Sequence, residues 1–138
     1  MEIKQLITLV LKKPKRLFII DATGALFSVF MLGYILIKFN YFFGIPKSTL
    51  YLLAIIPAFF ILLDLYSYVK KDIRINNFLK VISILNILYC WLSMSLAFYH
   101  LKTITILGWA YLIVEIIIIL ILASIQLIVA EKLTNEQT

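Results

Sequence analysis

The sequence holds one cysteine and one histidine among 138 residues. A lone Cys90 makes no intrachain disulfide, no CxxC redox pair and no cysteine-rich metal site. His100 sits beside Lys102 at one rim of the apolar segments described below, far along the chain from the acidic residues. That placement disfavours a His/carboxylate metal site and a Ser–His–acid triad alike. The chain lacks a Gly-rich phosphate loop and an HExxH pair. Four glycines and three prolines are too few for a fibre or a linker. Charge is also scarce, at 14% of residues, where a soluble domain carries about 25%. Such a chain has too few polar side chains to cover a water-facing surface. Disorder is excluded as well, because disordered chains are poor in the Leu, Ile and Phe that fill this one.

What the sequence has in abundance is apolar side chains, 64% of the total. A spanning helix needs about 20 mostly apolar residues, because the hydrocarbon core is about 30 Å thick and a helix rises about 1.5 Å per residue. Four segments meet that requirement, at about 17–37, 48–68, 81–99 and 104–130. Runs such as Ile116 to Ile119 are apolar at every position, which is unlike the alternation of a membrane β-barrel. The connections are short: residues 40–47 with Gly44 and Pro46, 70–77 with most of the loop charge, and 100–103. Short connections imply neighbouring helices of opposite direction. The expected fold is all-α: a single four-helix transmembrane domain in an up-down-up-down bundle.

Pro14 ends a preceding segment in which Ile3, Leu6, Ile7, Val10 and Leu11 recur at helical spacing, away from Lys4, Gln5 and Lys12. The spacing predicts a short amphipathic helix over 1–14, lying on the membrane surface. An extension of the first span is the alternative. The apolar run is too short for a secretory signal peptide, and no small-residue cleavage site follows.

The net charge of +6 fits membrane orientation better than nucleic-acid binding. Lys4, Lys12, Lys13, Lys15, Arg16, Lys70, Lys71, Arg74, Lys80 and Lys132 fall at one end of the spans. Only Lys38, Lys47 and Lys102 fall at the other. This bias predicts that both termini are cytoplasmic in a multi-pass integral membrane protein.

Polar residues inside the spans are the candidate site, because ionisable groups there usually face the interior of a bundle. Asp21 shares a small, polar face with Gly24, Ala25 and Ser28, suited to close helix contact. Asp64 shares a face with Pro57, Ile61 and Tyr68, near the small pair Ala54 and Ala58. Asn86 is in line with Cys90, Ser93 and Ala97, with Tyr89 adjacent. Glu115 is in line with Gly108, Tyr111, Leu122 and Gln126. Asp21, Asp64 and Asn86 lie at one depth near the cytoplasm, and Glu115 lies near mid-membrane. Converging faces would form a polar pocket open to the cytoplasm with Glu115 at its floor. Tyr66, Tyr68, Tyr89 and Tyr111 are candidate hydrogen-bond donors to the carboxyls. A carboxyl stripped of water tends to keep its proton. In the alternative, Lys15, Arg16, Lys70 or Lys71 pairs with Asp21 and Asp64 to lock helix ends, and Glu115 only joins helices.

Size and helix count resemble those of the small multidrug resistance transporters, which carry one carboxylate in the first helix. Asp21 lies in the corresponding helix, but no further motif matches and the charge bias differs. Four-helix thiol–quinone oxidoreductases need a CxxC, which this chain lacks.

The candidate ligand- or proton-binding residues are therefore Asp21, Asp64, Asn86, Glu115, Tyr89 and Tyr111, with no catalytic residue, metal ligand or cofactor expected. The leading function is small-molecule or ion binding and transport, coupled to protons. The alternatives are a non-catalytic membrane subunit or interaction protein, and, as the less expected enzyme, a lipid-modifying one. Expected partners are the bilayer, a small molecule or ion, and a second copy or another membrane protein, with no nucleic acid.

Overall fold

The computed structural model describes residues 3–70 and 74–137, and they are almost wholly helical with no strand. Six helices follow in order: α1 Ile3–Lys12, α2 Arg16–Lys38, α3 Asn40–Phe43, α4 Lys47–Val69, α5 Ile75–Tyr99 and α6 Ile106–Gln137. The four long ones, α2, α4, α5 and α6, are each long and apolar enough to cross a membrane. Their outward faces carry large apolar side chains, among them Phe59, Leu62, Trp91, Val114 and Ile121. Water would penalise such a surface, whereas lipid does not.

The chain bends at 13–15, so α1 is a separate helix, as Pro14 predicts. Leu11 packs against the apolar cluster that includes Leu17, Phe18 and Val129 at the end of the bundle. The side chains of Ile3, Lys4, Leu6, Ile7 and Val10, and the whole of Lys71, lie outside the described residues.

Two boundaries differ from the sequence expectation. Helix α5 begins at Ile75 rather than near 81, because Asn76 Nδ2 donates to Thr134 Oγ1 at 2.8 Å and ties the first turn of α5 to the last turns of α6. Helix α6 begins at Ile106 rather than 104. Its start is fixed by Thr105, whose hydroxyl accepts from Gly108 N at 3.2 Å.

The long helices pack mainly as two pairs, α2 with α4 and α5 with α6. In the first pair Lys15 Nζ donates to the Lys70 carbonyl at 2.9 Å, and a Cβ placed on Gly33 would meet Ala54 Cβ at 3.5 Å. In the second pair the contacts Asn76–Thr134, Asn86–Gln126 and Cys90–Ile116 run in opposite numerical order. Two apolar cores result. One gathers Leu17, Phe18, Leu79, Ile82, Val129 and Ala130 near the termini. The other gathers Leu32, Leu36, Leu50, Leu53, Tyr89 and Leu112 toward the opposite end.

Two glycines hold that opposite end together. Gly44 takes φ +70°, a left-handed conformation that side-chain-bearing residues rarely adopt. Gly108 lets α6 lie against the Phe43 carbonyl, where any Cβ would collide with backbone. Gly24 is the opposite case: nothing lies within 4 Å of a Cβ added there. The close helix contact expected on the Asp21 face is therefore absent at Gly24.

Gly108→Ala should destabilise the fold by about 1–3 kcal/mol through this overpacking, whereas Gly24→Ala should be neutral or mildly stabilising. Unfolding of both variants in detergent, followed by circular dichroism, checks the contrast.

Candidate functional site

The helix pairs α2/α4 and α5/α6 meet loosely along the α2–α6 seam. A cavity of about 290 Å³ lies there, walled by all four long helices. Gly24, Phe27 and Met31 of α2 and Val114, Ile118 and Leu122 of α6 supply much of its apolar wall, with Pro57 and Phe60 of α4 behind. Phe27, Val114 and Ile118 are also 63%, 56% and 60% exposed. The mouth of the cavity therefore opens sideways between α2 and α6, among outward-facing apolar residues. The sequence reading expected an opening at one end of the bundle. The difference arises because bare Gly24 leaves a gap there instead of a contact.

Two polar groupings flank the cavity. In the first, Asn86 Nδ2 donates to Asp21 Oδ1 at 2.9 Å and reaches Gln126 Oε1 at 3.4 Å. Asp64 is fully buried and faces the Asp21 carboxyl. Among the described residues no donor reaches either Asp64 oxygen or Asp21 Oδ2. Both are carboxyls, so neither donates to the other unless one is protonated.

In the second grouping, Tyr89 Oη lies 2.8 Å from Glu115 Oε1 and 3.2 Å from the Leu53 carbonyl. The reason for the second contact is local to α4. Pro57 lies inside that helix and has no N–H, so the carbonyl four residues earlier, Leu53, loses its helical donor. Tyr89 fills that role from α5. Phe60 holds the phenol ring edge-on, with centroids 6.1 Å apart. Tyr111, one turn before Glu115 on α6, is the other phenol beside the carboxyl. Glu115 Oε2 is buried without a hydrogen-bond partner.

Asp21, Asn86, Tyr89, Tyr111 and Glu115 thus meet around one cavity. Asp64 stands behind Asp21 and does not line it. Tyr66 and Tyr68 do not serve the carboxyls. Both are exposed, and the Tyr66 hydroxyl accepts from Lys70 Nζ at 2.8 Å. Lys15, expected as a partner of the acids, instead donates to backbone carbonyls at the end of α4. His100 pairs with Thr49 Oγ1 at 2.9 Å, away from the cavity. Among the described residues no three His, Cys, Asp or Glu side chains converge as a metal site.

Sequence reasoning missed three participants. Gln126 falls on the Glu115 face by spacing, yet nothing in the sequence marks it as a partner of Asn86. The Leu53 carbonyl is a backbone atom, signalled only by Pro57 four residues on. The third is a wide π-helical turn at Met31–Ile35 within α2, which coincides with the cavity wall at Met31. No family model matches the chain, and neither a curated protein nor a solved structure matches it.

Removing the amide that serves Asp21 and Gln126 should cost about 1–3 kcal/mol of stability. Asn86→Asp, which also adds a third acid beside Asp21, should destabilise more than Asn86→Ala. Paired unfolding curves in one detergent check the order. Asp64→Asn supplies a donor to Asp21 and should leave stability equal or raised, and the same assay reads it.

Proposed function

We propose that this chain is a multi-pass membrane protein whose lateral cavity binds a small organic cation with an apolar body, as a carrier would. In this reading the four long helices cross the bilayer in alternating directions. The basic residues near both termini favour a cytoplasmic side for those ends, with α1 on the membrane surface. The reversed numerical order of contacts in α5/α6, and the Lys15–Lys70 and Gly33–Ala54 contacts in α2/α4, support the alternation.

One observation carries the ligand class: among the described residues the cavity wall holds two carboxyls with unpartnered oxygens, Asp21 and Glu115, and no basic side chain. A positive charge would answer both. The volume is too great for a bare ion and falls near the lower end of small-molecule pockets. The aliphatic and aromatic lining suits an apolar body. Phe27, Phe60, Tyr89 and Tyr111 are the aromatic residues of the wall, and the face of such a ring attracts a cation. A mouth among lipid-facing residues suits a ligand that partitions into the bilayer first. A lipid-modifying enzyme would share that access, but among the described residues of the cavity wall no histidine stands beside Ser28 to activate it. A dry, tightly packed subunit would have no such cavity.

The test uses the full chain in lipid nanodiscs and benzyltrimethylammonium, whose charge does not titrate. Binding is read by equilibrium dialysis beside the neutral isostere neopentylbenzene. The cation should bind and the isostere should not. Glu115→Gln should weaken binding about tenfold or more, and Gly24→Phe, which fills the mouth, should abolish it. Equal uptake of cation and isostere, or full binding by Glu115→Gln, would overturn the reading.

A further inference from the structure

Tyr89 has one hydroxyl hydrogen and two acceptors within reach, Glu115 Oε1 at 2.8 Å and the Leu53 carbonyl at 3.2 Å. It satisfies both contacts only if Glu115 is itself a donor. A protonated Glu115 donates to Tyr89 Oη, and Tyr89 donates to Leu53, so every atom in the row is served. An ionised Glu115 is an acceptor only. Tyr89 must then turn its hydrogen to the carboxylate, and the Leu53 carbonyl, deprived of its helical donor by Pro57, is left bare.

Resting on the cation reading above, we propose that the cavity exchanges one proton for one organic cation at Glu115, and that Tyr89 changes acceptor with it. With the proton in place, Tyr89 bridges α5 to α4 at Leu53. When the cation enters, the Glu115 proton leaves to water, no covalent bond other than its O–H changes, and the site keeps its net charge. Tyr89 then faces Glu115, and the tie to α4 at its proline is released. The cation and the proton therefore compete, and the losing state loosens one helix against the other. That is the arrangement a carrier needs to reset.

The groups facing Glu115 permit this. From α6 comes Tyr111, and from α5 come Tyr89 and Cys90, whose thiol is directed to the Ile116 carbonyl at 3.9 Å. Ser93 is the remaining polar neighbour of Tyr89. From α2 comes Asp21, on the same cavity, with Asp64 of α4 behind it. Beside Glu115 itself, α4 presents Leu53, Pro57 and Phe60, none of which titrates. Among the described residues no basic side chain lines the cavity wall.

The experiment measures benzyltrimethylammonium binding from pH 5 to 9 in nanodiscs, with proton release in weak buffer. Well below the midpoint wild type should release one proton per cation bound, falling toward none above it, and its apparent affinity should fall about tenfold for each pH unit below the midpoint. Tyr89→Phe removes one of the two phenols beside Glu115 and leaves Tyr111, so its midpoint should move to higher pH. Pro57→Ala returns an N–H to Leu53 and frees Tyr89 for Glu115, so its midpoint should move to lower pH. Opposite shifts support the exchange of acceptors. Unshifted midpoints, shifts in the same direction, or cation binding without proton release below the midpoint would overturn it while leaving the cation reading intact. Absence of wild-type binding at every pH would overturn both. Tyr89→Phe removes a single oxygen and keeps the test decisive should Pro57→Ala fail to fold.

Discussion

The interior of this bundle holds more hydrogen-bond acceptors than donors, and its other features follow from that imbalance. Asp21, Asp64 and Glu115 are all buried. Against them stand the amides of Asn86 and Gln126 and the hydroxyls of Tyr89, Tyr111, Ser28 and Ser93. Gln126 Nε2 is itself without a partner, so one of the few donors is not placed to help. In hydrocarbon an unserved carboxyl has no water to fall back on. The shortfall is met by protons on the acids or by something positive in the cavity, and the two remedies exclude each other at any one oxygen. A cavity beside the acids and a proton-sensitive Tyr89 are thus two consequences of one deficit.

The backbone contributes to the same deficit. Pro57 withdraws a donor from α4 at the depth where Tyr89 and Glu115 meet. The phenol becomes a shared resource between a helix that needs it and a carboxyl that needs it only when ionised. The apolar cores on either side, around Phe18 and around Leu53, hold the helices at a spacing that neither grouping could set alone. Packing here comes from close fit rather than escape from water, since lipid is as apolar as leucine. The gap beside Gly24 persists because no side chain from α6 fills it.

Much of this was legible from residue type and spacing. Length and apolarity mark the four long helices, Pro14 marks the break before α2, and the tight connection at 100–103 marks α5 and α6 as neighbours. The inward turn of Asp21, Asn86 and Glu115 follows from the cost of exposing them to lipid. Other features had no local signal. Gly24 reads as a contact residue in any small-residue stripe, and only the position of α6 makes it a gap. Tyr66 and Tyr68 share α4 with Asp64, but the helix turns their rings outward. Asn86 finds Gln126 through the register of α5 on α6, fixed at a distance by Asn76 and Thr134. The basic residues near Asp21 look like its partners in sequence. In three dimensions Lys15 donates instead to the carbonyls of Tyr68 and Lys70 at the end of α4.

The most direct test of the central claim is a high-resolution structure of the full chain in nanodiscs with benzyltrimethylammonium bound. The account predicts the ammonium group between Asp21 and Glu115, the phenyl ring among Phe27, Phe60 and Ile118, and Tyr89 turned from Leu53 toward Glu115. An acid pair bridged to lysine or arginine, with the cavity closed and the cation on the outer surface of the helices, would contradict it.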